Sequence, residues 1–108
     1  MTEHPLWNLA RGLSQRLAPL QFDKPVHTVY DPTGYAAKSM KAYFERFGRP
    51  GKTTLFLGMN PGPWGMAQTG VPFGEIAAVR DWMGINEPVG LPSPQHPKRP
   101  IQGFDCPR

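Results

Sequence analysis

Asn60 is the only amide or charged side chain between Gly58 and Met66, in the run Gly58-Met59-Asn60-Pro61-Gly62-Pro63-Trp64-Gly65-Met66. A neutral amide accepts hydrogen bonds through its oxygen and donates two through its nitrogen. Held in a fixed loop, it can orient a water molecule or read the edge of a base. The run is not a phosphate cradle of a known kind. A Walker loop needs a Lys-Ser/Thr pair after its last glycine, and a dinucleotide loop opens directly into a helix, which the prolines here forbid. From spacing alone, two readings stand side by side: a ligand-holding loop, or only a tight connection.

The elements around this run decide where it sits. Thr53 to Leu57 is a short β-branched and apolar stretch that reads as a buried strand, ended by Gly58. The segment 58–71 is too rich in glycine and proline for a regular element. A loop at the carboxyl end of a parallel strand is where α/β folds bind ligands.

On the N-terminal side, Leu6, Leu9, Leu13, Leu17 and Leu20 recur at helical steps and predict an amphipathic helix over 1–22. Pro5 falls in its first turn and Pro19 ends it. Asp31-Pro32 starts a second helix over 31–48: a capping aspartate, then proline at the first helical position. Tyr35, Met40, Tyr43, Phe44 and Phe47 form its apolar face, and Gly48 stops it. A third helix is predicted over 72–84, with Ile76, Val79, Trp82 and Met83 near one face and Phe73 and Glu75 in its first turn. From 85 to 108 the chain is a proline-punctuated loop with a basic centre at Lys98-Arg99.

Composition narrows the class. The chain has 108 residues, 12 glycines, 14 prolines and a net charge of +4, with a sequence pI near 9.6. A basic balance suits a polyanionic partner such as nucleic acid. Cys106 is the single cysteine, which excludes an internal disulfide and a four-cysteine cluster from this chain. His4, His27 and His96 are widely separated and lack carboxylates at ligand spacing, so no metal and no cofactor are expected. No apolar run is long enough for a signal peptide or a membrane span. One parallel strand cannot make a sheet, so residues 1–108 read as the first part of a larger single α/β domain.

The run from Gly58 to Glu75, with Tyr30-Asp31-Pro32, Tyr35-Ala36, Val79-Arg80-Asp81-Trp82 and His96-Pro97-Lys98-Arg99-Pro100, closely resembles the single-strand-selective monofunctional uracil-DNA glycosylases. These are a branch of the uracil-DNA glycosylase superfamily. Trp64 stands where relatives commonly carry Phe. The resemblance implies a three-layer α/β/α fold with a central, mostly parallel four-stranded sheet. It implies base excision repair: hydrolysis of the N-glycosidic bond of uracil and 5-hydroxymethyluracil in single- and double-stranded DNA, after the base is flipped out of the stack. The implied partner is such DNA, bound by a monomer when full length. The implied compartment is nuclear in a eukaryote and cytoplasmic in a bacterium.

On the matching positions, the resemblance makes Asn60 the water-positioning residue and Phe73 the aromatic that stacks on the flipped uracil. Met59 lines the pocket and offers its backbone amide to the base. Gly62 occupies the place where classical uracil glycosylases carry a tyrosine that excludes 5-substituents. Two family elements do not occur in the 108 residues: the asparagine that reads the uracil edge, and the His-Pro-Ser-Pro-Arg loop whose histidine stabilises the leaving anion. His96 matches the family elsewhere and is given no catalytic role. This implies that residues 1–108 alone are nearly inactive. The alternative is a nucleic-acid-binding fragment without catalysis.

Overall fold

The computed structural model describes residues 3–108, so Met1 and Thr2, at the start of the helix expected over 1–22, lie outside the described residues. Helix α1 spans Pro5–Leu17. His4 caps it: its Nδ1 accepts from the Leu6 amide at 3.1 Å, and its Nε2 donates to the Gly48 carbonyl at 3.1 Å. One imidazole thus closes the start of α1 and ties it to the end of a later helix. The leucine face does not pack as its periodicity predicts. Leu9, Leu13 and Leu17 are all at least half exposed, and α1 is anchored instead by the buried Trp7, against which Lys41 rests its ammonium, 4.9 Å from the ring centroid.

The helix expected over 31–48 is two helices, α2 (Pro32–Tyr35) and α3 (Ala37–Phe47). Asp31 caps the first by accepting from the Thr33 amide at 3.0 Å. The ladder breaks at Ala36 because the Tyr35 carbonyl turns away to accept from the Gly90 amide at 2.8 Å. Ala36 is itself fully buried against Gly70.

Residues 53–57 form no strand, and among the described residues there is no sheet; the one β contact is an isolated antiparallel bridge between His96 and Arg99. The four-stranded sheet expected above is therefore not formed by the described residues. The reason is physical. A strand needs a neighbour for its N–H and C=O groups, and none of these residues lies alongside. Leu55, Phe56 and Leu57 are 80–89% exposed in consequence.

The expected loop 58–71 contains a helical turn, α4 (Met66–Thr69), closed by Gly70 in the left-handed conformation at φ 78°. A Cβ on Gly70 would meet the Ala36 Cβ at 2.6 Å, so both backbone and packing require glycine there. The helix expected over 72–84 starts later, at Ile76, because 71–74 are a turn. Glu75 accepts from the Ala77 and Ala78 amides and caps it. These bonds, and then Arg80, hold the Glu75 carboxyl below the usual range. The segment Ala78–Trp82 is π-helical, with the Met83 amide reaching back five residues to Ala78. The wider turn shifts the helical phase. Trp82, which a 3.6-residue period places with Ile76 and Val79, ends 85% exposed.

The core is small: Val71, Val79 and Ile85, with Tyr43, Met83 and Phe104 packed against them. The proline-rich segment 85–108 is not a free linker. It folds back through Ile101, a 3₁₀ turn at Gly103–Asp105 and the buried Cys106 to pack on α4. No helix of the described residues is long and apolar enough to cross a membrane.

Candidate functional site

The 58–75 segment is held from inside by two polar side chains. Gln68 is fully buried and uses every hydrogen-bonding position of its amide. Its Nε2 donates to the carbonyls of Pro63 (2.9 Å) and Pro100 (2.7 Å), and its Oε1 accepts from the amides of Gln102 (2.7 Å) and Gly103 (3.0 Å). Thr69, also fully buried, donates from its hydroxyl to the Gly74 carbonyl at 2.9 Å and accepts from the Val71 amide at 3.2 Å. Tyr35 adds a third tie, its hydroxyl donating to the Ala67 carbonyl at 2.6 Å. Burial, then the nearby Tyr30 and Asp31, push the Tyr35 phenol well above the ordinary tyrosine range, so it stays a donor. Sequence reasoning passed over Gln68 and Thr69. The available signal was an uncharged polar pair between Gly65 and Gly70, where nothing else could satisfy the turn's backbone groups.

Thr69 fixes the turn that presents Phe73. This residue stands at φ 57°, the left-handed region, which is costly for a bulky side chain. The turn also needs glycine at Gly74, where a Cβ would meet the Val71 oxygen at 2.5 Å. The Phe73 ring is 69% exposed and lies across the backbone of Gly58; a Cβ on Gly58 would sit 3.1 Å from its Cζ. Strain of this kind persists only where the surroundings over-determine it, and here it brings an exposed aromatic ring next to the start of the Asn60 loop.

Asn60 is exposed, with its Nδ2 donating to the Pro61 carbonyl at 3.0 Å. A carbonyl can only accept, which fixes the amide orientation. The Oδ1 has no partner among the described residues and is free to accept from water. Met59 is 97% exposed, and its backbone N–H is likewise without a partner among the described residues. Gly62 does not take a left-handed φ, and a Cβ there would meet nothing within 4 Å. Its carbonyl accepts from the Ala67 amide at 3.0 Å, anchoring the loop to α4. The structure thus brings Phe73 to the Gly58 end of the loop and leaves Met59 and Asn60 open to solvent.

A cleft of about 370 Å³ lies elsewhere on the loop. Pro61 and Pro63 form one wall, and Tyr30, His96 and Arg99 line the rest with Ile101. None of Met59, Asn60, Gly62 and Phe73 lines it.

No family model matches the chain. Individual relatives do: it is 52% identical over 96 residues to the single-strand selective monofunctional uracil DNA glycosylases of Mus musculus, Bos taurus and Rattus norvegicus. Over the matched stretch the chain is closely similar to these glycosylases. The matched stretch is 89% of this chain and 34% of the mouse and rat proteins, 35% of the bovine one. The chain therefore spans about a third of the length of the glycosylases it matches. Kinship with uracil-DNA glycosylases implies an α/β fold, to which the described residues contribute helices and turns. The remaining two thirds of those relatives have no counterpart here.

Proposed function

We propose that these residues carry the water-positioning and base-stacking side of a monofunctional DNA glycosylase of base excision repair, acting on uracil and 5-hydroxymethyluracil. The observation that carries this reading is the conjunction of Asn60, with a free amide oxygen, and Phe73, held at a strained φ beside the same loop. The identity to glycosylases over 96 residues supports it.

Chemically, the target base must leave the stack before its glycosidic bond can be reached. Most glycosidases use two carboxylates, and none is needed here if the bond breaks before water adds. The bonding pair then departs with N1 of the base, C1′ becomes cation-like, and a water held by Asn60 Oδ1 adds to C1′. The water's proton passes to solvent or to the base anion. A positioned acceptor is sufficient because the electrophile is already strong. In this reading the exposed Phe73 ring stacks on the flipped base, and the Met59 amide donates to its edge. The described residues do not enclose a base, which favours little turnover by residues 1–108 alone. The second reading, nucleic-acid binding without catalysis, draws on the same openness.

Two variants of the full gene product test the roles. Phe73→Ala should weaken binding of the flipped base by ~1–3 kcal/mol, the usual worth of base–aromatic stacking. The melting temperature should hold, because the ring is exposed and alanine keeps the same Cβ at the same φ. Lost thermal stability with unchanged affinity per folded molecule would make Phe73 a packing residue instead.

Gly62 is assigned to substrate choice. Neither its φ nor its surroundings require glycine, so Gly62→Tyr should fold. A ring placed there should suppress excision of 5-hydroxymethyluracil far more than excision of uracil, since a clash is a repulsive specificity element. Equal losses on both substrates, in Gly62→Tyr and Gly62→Ala alike, would defeat the pocket-wall role.

A further inference from the structure

The 370 Å³ cleft on the proline side of the loop is built rather than accidental. The Tyr30 hydroxyl donates to the Arg99 carbonyl at 2.8 Å and accepts from the His96 amide at 2.7 Å, clamping both ends of the turn 96–99. Inside the turn, the Arg99 amide donates to the His96 carbonyl at 3.1 Å and the Lys98 amide to His96 Nδ1 at 3.0 Å. The turn presents its cations outward. Arg99 bonds only the Lys98 carbonyl, and the Lys98 ammonium has no partner among the described residues. His27 meets His96 edge-on at 4.7 Å between centroids.

Arg99 continues onto the Trp64 ring, 5.9 Å from its centroid, and Arg108 lies 4.5 Å from the same centroid over a second cleft of about 450 Å³. No Asp or Glu lines either cleft. Asp31, next in sequence to Tyr30, accepts from the Ser14 hydroxyl and the Thr33 amide. Unpaired cations interleaved with aromatic and proline faces fit a single nucleic-acid strand, whose phosphates take the charges and whose bases take the flat surfaces.

We infer that the cleft between Pro61, Pro63, Tyr30 and the turn 96–99 seats a nucleotide flanking the target base in single-stranded DNA, its phosphate on Arg99 and Lys98. The Asn60 loop then has two working faces: the Phe73 side for the flipped base and the proline side for its neighbour in the strand. The inference rests on the glycosylase reading for its choice of DNA.

The test is fluorescence anisotropy of the full gene product with a uracil-free labelled oligonucleotide across a salt series. Arg99→Gln should weaken binding several-fold at low salt and reduce the log–log salt slope by about 0.7, the contribution of one single-strand phosphate. Lys98→Gln should act in the same direction, and Arg99→Lys should keep the slope. Arg80→Gln, whose guanidinium is already held by Asp81 at 2.8 and 3.0 Å, should change neither quantity. The inference is overturned if Arg99→Gln matches wild type, if it matches Arg80→Gln, or if wild type does not bind. Uracil release is assayed separately. Its absence with the slope change intact would sink the catalytic reading and leave the cleft as a single-strand binding site without a target base beside it.

Discussion

Asn60→Ala in the full gene product should lower single-turnover excision of uracil on the order of 10²-fold or more, with DNA affinity within a few-fold of wild type. The asymmetry follows from the geometry. Asn60 bonds only its neighbour's carbonyl, so its truncation costs the fold little. Its free oxygen faces water, so what is lost is orientation of the nucleophile in the transition state. Asn60→Asp separates orientation from charge. A carboxylate keeps the acceptor, and should recover more activity than alanine. Turnover by Asn60→Ala within a few-fold of wild type would remove the residue from its role.

Gln68→Ala should destabilise the fold by about 3–5 kcal/mol, measured by urea unfolding. It would strand two carbonyls and two amides that now converge on one side chain, and leave a cavity. Gln68→Leu, similar in volume, separates the two causes. If hydrogen bonds dominate, Leu should be nearly as damaging as Ala. A Gln68→Leu protein as stable as wild type would show that the buried amide is not what joins α4 to 100–103. Excision should fall in both variants as the folded population falls, since the same side chain holds the Pro63 carbonyl within the site loop.

Much of the candidate site was legible in the sequence because loops rich in glycine and proline are specified locally. The capping of α2 by Asp31 and the stop at Gly48 are local too. What escaped depended on distant partners. The break at Ala36 comes from Gly90, more than fifty residues away. The burial of Gln68 depends on backbone groups between 100 and 103. The meeting of His27 and His96 joins distant parts of the chain, which no spacing reveals. Two expectations failed for a shared reason. The leucine face of α1 and the apolar run 53–57 read as burial signals, but the described residues offer no surface to cover them. The π turn at 78–82 defeated the placement of Trp82, since a 3.6-residue period assumes a regular helix.

The most direct test of the whole account is to incubate the full gene product with a single-stranded oligonucleotide bearing one uracil and to quantify free base by mass spectrometry. The account predicts free uracil together with an abasic strand that stays intact until treated with alkali, as hydrolysis without strand cleavage requires. A folded protein that binds the oligonucleotide yet releases no uracil would contradict it and leave the site a nucleic-acid-binding surface.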